Sequence, residues 1–365
     1  MSTPGAGGGP ARLDGPVEVV GTGLLGTSIA LACRRAGLEV LLTDVAEEHL
    51  RTASQLGAGR PRRPEDAPQL VVVAVPPDHL GAVIERVLGE GGRDDAVVTD
   101  VGSVKTGPLE AVAAHPRSHR YVGSHPMAGS ERSGPLAASA SLFDGRPWAI
   151  TPHSTSDPDA VELVERLVEV CGGARVWLTP QEHDRAVART SHVPHLLASL
   201  AAGRLAEAPE HHLQLSGQGV RDVTRVAAGD PALYGQILSA NAEAVLGLLG
   251  EVRDQLQQVI DVVGSGDREA LVRVLEAGVA GTRAIPGKHG GPPRPMASLW
   301  VQVPDHPGEL ARLFADAVAS EVNIEDLRID HDLAREVGQV ELVVAADRVA
   351  HLHTSLESRG WVTHG

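Results

Sequence analysis

Hydrophobic positions in the first half of the chain come in short unbroken runs, separated by longer stretches of helical period. Val17-Glu-Val-Val20 is a β-branched run that passes directly into Gly21-Thr-Gly-Leu-Leu-Gly-Thr-Ser28, where a helix begins. Further strands are predicted at 39–43, ending at Asp44, at 70–75, ending at Pro76-Pro77, and at 96–101. A helix is predicted over 77–88. Tyr121-Val122 reads as the end of another strand, which His125 leaves just before a proline. Strands at 148–152 and 174–178 flank a helix at 159–170. Unbroken apolar strands alternating with helices indicate a parallel sheet covered on both faces. The fold class over residues 16–180 is therefore α/β and doubly wound, with ligands expected beyond the carboxyl ends of the strands.

After Thr179-Pro180 the period changes. From Gln181 to about Thr282 only Ala/Leu-rich helical periodicity is present, so 181–284 is predicted to be an all-α domain. Gly229-Asp230-Pro231 breaks this stretch, and 232–263 reads as one or two long amphipathic helices of the kind that form dimer cores. Residues 285–296, with Gly-Lys-His-Gly-Gly-Pro-Pro, read as a linker. The remainder, 297–365, restarts as strand (298–303), helix (308–319), strand (323–330), strand (338–345) and helix (348–359), an α+β pattern. The first residues are Gly/Pro-rich without an apolar segment, so 1–15 reads as a disordered tail and not a signal peptide.

Composition narrows the function classes. A chain of 365 residues has room for two or three domains. A formal net charge of -15 with no long basic block argues against a nucleic-acid partner. No apolar run approaches the roughly 20 residues that span a bilayer, so no membrane partner is expected. Cys33 and Cys171 are the only cysteines, which implies no disulfide framework or thiolate metal site and fits a reducing, cytoplasmic compartment. Lys105 stands out because Lys288 is the only other lysine.

The candidate chemistry lies at the strand ends. Strand, Gly21-x-Gly23-x-x-Gly26, helix, strand and acid, in that order, form a dinucleotide-binding (Rossmann) pattern. Gly21 allows the tight turn, Gly23 lets the pyrophosphate approach, and Gly26 lets the helix pack on the strand. The helix N-terminus then offers free N–H groups to the phosphates. Asp44 can take both ribose hydroxyls and would repel a 2′-phosphate, which favours NAD over NADP. Asp100, Ser103 and His125 fall at separate strand ends, so they can converge. An imidazole at a strand end suits proton transfer near neutrality. Unassisted, Ser103 and Lys105 read as a helix N-cap and a solvated first turn. In the helical part, His183, His192 and His195 come early, with Asp184 beside the first. No HExxH pattern is present and Pro194 breaks the spacing, so no metal is expected. Arg221 and Arg225 are four apart and share a face if helical, and an Arg fork matches a carboxylate.

Together these pieces resemble the prephenate/arogenate dehydrogenases of tyrosine biosynthesis over nearly the whole chain from Val17. The carrying motifs are Gly21–Ser28, Thr99-Asp-Val-Gly-Ser-Val-Lys105, Gly123-Ser-His-Pro-Met-Ala-Gly-Ser-Glu131, His183-Asp184, Ser191-His-Val-Pro-His195 and Arg221-Asp-Val-Thr-Arg225. The resemblance implies that NAD+ takes hydride from the ring carbinol carbon of a cyclohexadiene acid while the ring carboxylate leaves as CO2. In family terms His125 accepts the proton of the substrate hydroxyl, Ser103 orients that hydroxyl, and Arg225 grips the ring carboxylate. His195 would hold the pyruvyl or alanyl side chain, with His192, Ser191 and Tyr234 nearby. Glu131, Arg221 and Asp222 match a charge network at the pocket mouth. Leu24, Leu25, Val75, Pro76 and Asp100 join the glycines and Asp44 as cofactor contacts.

Gln218 interrupts the family's glycine run, Val220 replaces a common aromatic, and Tyr234 replaces a usual Trp. All three bear on the choice between prephenate and arogenate. Asp305-His306-Pro307-Gly308-Glu309-Leu310 resembles the first turn of an ACT (ferredoxin-like) regulatory domain, which implies tyrosine as a feedback effector. A homodimer is expected. A β-hydroxyacid dehydrogenase would want a catalytic lysine in its helical part, and none lies between Lys105 and Lys288. A non-catalytic amino-acid sensor would not need His125, Ser103 and Arg225 together.

Overall fold

A computed structural model of the chain describes residues 12–90, 95–129, 133–286, 295–331 and 337–365. Most of the N-terminal tail, most of the linker, and Glu131 lie outside the described residues. The chain forms two compact units, 1–258 and 259–365, whose boundary falls inside one long helix.

In the first unit, β1 (Val17–Val20) runs into α1 (Leu24–Arg35), followed by β2 (Val40–Thr43), α2 (Glu47–Gln55), the short β3 (Arg60–Pro61), β4 (Leu70–Val73), α3 (Pro77–Gly89) and β5 (Val97–Asp100). These strands form one parallel sheet in the order β3-β2-β1-β4-β5. Both faces are covered. Val17 and Val19 pack with Ile29 and Cys33, while Val20, Val71 and Val73 pack with Leu80 and Ile84 of α3. Two-sided burial is why these strands read as unbroken apolar runs. The strand order reverses between β1 and β4, which opens a crevice at their carboxyl ends.

Next come α4 (Thr106–Val112), β6 (Gly123–Pro126), β7 (Pro147–Thr151), α5 (Pro158–Val170) and β8 (Ala174–Trp177). The last three strands form a second sheet, β6-β7-β8, beside β5 through a parallel Val98–Tyr121 bridge. Two details differ from the sequence expectation. The strand expected to end at Val122 instead begins at Gly123 and carries His125 within it, Tyr121 making only an isolated bridge. β6 and β7 pair antiparallel, because no α-helix among the described residues crosses between them to restore a parallel return.

The region after Thr179 is helical, as its periodicity predicts. It comprises α6 (Pro180–Val187), a π-helical turn Ala188–His192, α7 (Val193–Ala206), α8 (Glu210–Leu213), α9 (Gln218–Thr224), a 3-10 turn Arg225–Ala228, α10 (Pro231–Ala240), α11 (Ala242–Ser265) and α12 (Arg268–Arg283). Pro194 sits in the first turn of α7, where its missing N–H is not needed, so the helical path continues through it. Arg221 and Arg225 do not share one regular helix, since α9 tightens to 3-10 geometry at Arg225.

The second unit, beyond α12, contains β9 (Met296–Pro304), α13 (Glu309–Val318), β10 (Asp326–His331), β11 (Val337–Ala345), α14 (Val349–Ser358) and β12 (Val362–His364). The sheet is antiparallel, ordered β10-β11-β9-β12, the ferredoxin-like arrangement. Its own core includes Leu299, Val301, Leu313, Leu342, Leu356 and Trp361. The three-residue β12 was too short to read in the sequence. Among the described residues no helix is long and apolar enough to cross a membrane.

Candidate active site

The crevice between β1 and β4 is bounded by backbone that only glycine tolerates. Gly21 has φ +97, and a Cβ there would stand 2.3 Å from the carbonyl oxygen of Ala74. A Cβ on Gly26 would meet the Gly21 carbonyl oxygen at 1.9 Å, so α1 could not sit against the end of β1. A Cβ on Gly23 would reach open space. No side chain caps α1, and Leu24 and Leu25 are half-buried at its start. Asp44, just past β2, accepts from the Thr22 amide (2.5 Å), the Thr22 hydroxyl (2.8 Å) and the Ala46 amide (2.8 Å). Its carboxylate is thereby fixed beside the glycine loop. Val75 is half-buried and Pro76 exposed on the β4 side.

A second cluster lies where β5, β6 and α6 meet. The start of α6 is set by sequence. Thr179 and Glu182 form a reciprocal capping box and Pro180 occupies the first turn. One turn in, His183 and Asp184 are buried. Asp184 accepts from the backbone amides of Lys105 (Oδ1, 2.8 Å) and Thr106 (Oδ2, 2.8 Å). Its Oδ1 lies 2.9 Å from His183 Nδ1, and His183 Nε2 lies 2.9 Å from His125 Nδ1. The two imidazoles meet edge to face, with centroids 5.1 Å apart. His125 alone of the three is half-buried.

Beneath His125, Lys105 is fully buried and forms an ion pair with Asp100, with a further bond from Nζ to the Ser124 carbonyl (2.7 Å). The Tyr121 hydroxyl and the Gly102 amide also donate to Asp100, at 2.8 and 2.9 Å. Two expectations are corrected here. Lys105 is not a solvated first-turn residue but an internal cation. Asp100, expected at the cofactor, is wholly inside the protein and engaged through both oxygens, because the buried ammonium needs its charge. Ser103 is half-buried, and among the described residues no hydrogen bond joins it to His125. The serine inside the network is Ser124, whose hydroxyl donates to the Asp100 carbonyl (2.8 Å).

Burial, then the nearby His183 and Lys105, hold the His125 pKa well below the usual imidazole value. Burial also lowers that of His183, against the pull of Asp184. At neutral pH, His125 is a neutral imidazole, the form that accepts a proton.

His192, buried, is tied at Nδ1 to the side-chain amide of Asn241 (3.0 Å), which also donates to the Asp184 carbonyl (2.8 Å). Burial pushes the His192 pKa down to about 4. The unfolded chain therefore binds a proton near pH 6.5 that the folded chain refuses until about pH 4. Stability is full above the unfolded value and falls as pH drops through this window, by about 3 kcal/mol from this group. Urea unfolding at pH 7 and pH 4.5 should show the loss, and His192→Asn should reduce its slope. An unchanged slope in the variant would assign the loss elsewhere.

His195, on α7, stacks on Tyr234 of α10 with centroids 3.4 Å apart and planes 5° apart. Its Nδ1 is buried and has no hydrogen-bond partner. Gly229 backs this pair, where a Cβ would come within 2.8 Å of the Tyr234 ring. Ser191 is half-buried in the π-helical turn. Arg221, Asp222 and Arg225 are exposed, and Asp222 accepts from Gln218 (2.9 Å). No ion pair joins these arginines to the imidazole cluster among the described residues. Sequence reasoning missed the coupling of His183, Asp184 and Asn241 to the site. A lone Asn between α10 and α11, in a run that reads as long amphipathic helix, was the available signal, since a buried amide needs partners.

Comparisons with known proteins place the chain in a family. Residues 29–178 match the family profile described as "Prephenate dehydrogenase, nucleotide-binding domain", and 179–277 match "Prephenate dehydrogenase, dimerization domain". A probable prephenate dehydrogenase, NovF of Streptomyces niveus, is 34% identical over 94% of this chain and 98% of its own. The prephenate dehydrogenase of Bacillus subtilis is 29% identical over 86% of this chain and 87% of its own. The crystal structure of prephenate dehydrogenase from A. aeolicus in complex with hydroxyphenyl propionate and NAD+ superposes with a TM-score of 0.66 at 26% identity, covering 74% of this chain and 98% of that one. Both halves of the first unit, and almost the full length of the Streptomyces relative, are accounted for, and the chain belongs to the prephenate dehydrogenase family.

Proposed function

We propose that this protein is an NAD-dependent oxidoreductase that converts prephenate to 4-hydroxyphenylpyruvate by oxidative decarboxylation, in tyrosine biosynthesis. The observation that carries the reading is His125, half-buried at the edge of a buried network that keeps it neutral. The residues at the crevice fit NAD. The Gly21 turn leaves no room for a side chain, α1 presents an uncapped N-terminus for the pyrophosphate, and the fixed carboxylate of Asp44 suits ribose hydroxyls and opposes a 2′-phosphate. Gly23, Leu24, Leu25, Gly26, Val75 and Pro76 complete this cradle. Bound there, NAD+ supplies the hydride acceptor.

The chain's own part is proton handling and positioning. His125 takes the proton of the ring hydroxyl as the carbinol C–H bond yields its electron pair. The bond from the ring to its carboxylate then breaks, CO2 departs, and aromatisation draws the step forward. Ser103 orients the hydroxyl. His195 binds the side chain of the substrate together with Tyr234, Ser191 and His192. Arg225 pairs with a substrate carboxylate, with Arg221 and Asp222 around it.

The experiment is NADH formation by the purified protein with prephenate and arogenate in parallel. Turnover of prephenate supports the reading, and no absorbance change with either removes it. Arg225→Ala is expected to lower kcat/KM about 100-fold, the scale of a charge-assisted carboxylate contact, mostly through KM. An unchanged KM would take Arg225 out of the site.

Homodimerisation through the long helices is supported by Leu246, Leu256, Ile260 and Val263, all exposed along α11, and light scattering tests it. The ferredoxin-like unit supports tyrosine as effector. Calorimetry without tyrosine binding, and kinetics indifferent to tyrosine, would remove that role. Two free, buried cysteines fit a cytoplasmic enzyme.

A further inference from the structure

His125 Nδ1 does not face solvent or a carboxylate. It faces the Nε2 of a second imidazole, 2.9 Å away, and that imidazole is in turn 2.9 Å from a carboxylate. The protonation order along such a chain is dictated by its far end. Asp184 accepts from two backbone amides, Lys105 and Thr106, and can only accept from its third partner. Although burial opposes it, the bonds from His183 and these amides hold its carboxyl below the usual range, so it is ionised at neutral pH. His183 Nδ1 must therefore carry the hydrogen that points at Asp184. A neutral His183 then has a bare Nε2, and the only hydrogen able to fill the contact sits on His125 Nδ1. The second nitrogen of His125 is left with its lone pair.

We infer that His183 is a positioning residue for the proposed base: anchored by Asp184, its Nε2 accepts the Nδ1–H of His125 and so reserves the Nε2 lone pair of His125 for the substrate hydroxyl. The inference rests on the reading of His125 as base. The order Asp184–His183–His125 has the logic of a carboxylate that sets the tautomer of a catalytic imidazole, with one imidazole interposed. The interposed ring lets an anion deep inside the protein, on α6, orient a base on β6 without lying against it. The charged and titratable groups facing His125 are His183, Lys105 and His192, and none of them can accept the Nδ1–H except His183.

The test uses the full-length enzyme with NAD+ and its substrate. His183→Leu should lower kcat about 10- to 100-fold, the usual cost of losing an orienting partner, with both KM values within about twofold. It should also displace the acid limb of kcat, because the charged ring of His125 loses the acceptor of its Nδ1–H. His183→Gln, whose side-chain oxygen can accept the same hydrogen, should recover most of the rate. In wild-type protein carrying 15N-histidine, NMR at neutral pH should show His125 protonated at Nδ1. Wild-type turnover in His183→Leu, equal losses in Leu and Gln with an unmoved acid limb, or His125 protonated at Nε2 would each overturn the inference. If His183→Leu does not fold, His183→Gln and the NMR measurement decide. Failure of the base assignment is distinguishable, because His125→Asn would then retain turnover while the tautomer remains readable.

Discussion

His125→Asn is expected to lower kcat about 1,000-fold, within the range that a positioned general base contributes. Asn is close to His in size, and its side-chain amide can still donate toward His183, so the buried network is retained. What it lacks is a nitrogen lone pair that takes up a proton. NAD+ affinity should stay near the wild-type value, because Gly21, the start of α1 and Asp44 are untouched. NADH formation under saturating substrate, beside a fluorescence titration with cofactor, separates the two effects. Wild-type turnover would show that the proton leaves by another route. The wild-type enzyme should in addition keep its rate to pH values below those of an ordinary imidazole, since burial, His183 and Lys105 all disfavour the charged ring. As pH falls through the depressed value, His125 takes a proton and the rate is lost.

Lys105→Met should destabilise the fold by about 3–5 kcal/mol, the cost of breaking a buried pair and leaving one charge behind. Both partners are wholly buried. Asp100 would keep the Tyr121 hydroxyl and the Gly102 amide but lose its counter-charge. Urea unfolding at neutral pH measures the loss. The double variant with Asp100→Asn should recover much of it, because the amide retains an acceptor oxygen and carries no charge, so the two effects should be far from additive. Additive losses would mean that the ion pair does little for stability. The same substitution removes a positive charge that lowers the His125 pKa, so the acid limb of turnover should shift to higher pH.

The two effects share an origin. The segment from Asp100 to Lys105 leaves β5, turns inward, and delivers an ammonium beneath the imidazole. The same turn presents the amides of Lys105 and Thr106 to Asp184. A short stretch thus connects the nucleotide-binding sheet to α6, by charge on one side and by backbone donors on the other. Changes in this turn should disturb stability and proton transfer together, whereas changes at Gly21 should act on cofactor binding.

The doubly wound sheet was legible in the sequence because strands buried on both faces must be apolar at every position, and Val17–Val20, Leu70–Val73 and Val97–Val98 are nearly so. The glycine loop was legible because a turn of positive φ and a close helix-to-strand approach admit glycine alone. The helical middle followed from its period. The ferredoxin-like unit followed from alternating strands, except for β12, where three residues at a chain end carry no pattern.

Roles set by partners far apart in the chain were not legible. Lys105 read as a surface lysine since nothing local shows that Asp100 and the Ser124 carbonyl enclose it. Asp100 read as a ligand contact since its strand-end position is shared by residues that point either way. Local order therefore determined which segments become strands, helices and phosphate-binding turns, because those depend on steric and apolar patterns within a few residues. Only the tertiary structure decided which polar groups are buried together, which imidazole nitrogen carries a proton and which carboxylates are already engaged, because many of these bonds join segments 21 to 79 positions apart and leave no periodic trace in the chain.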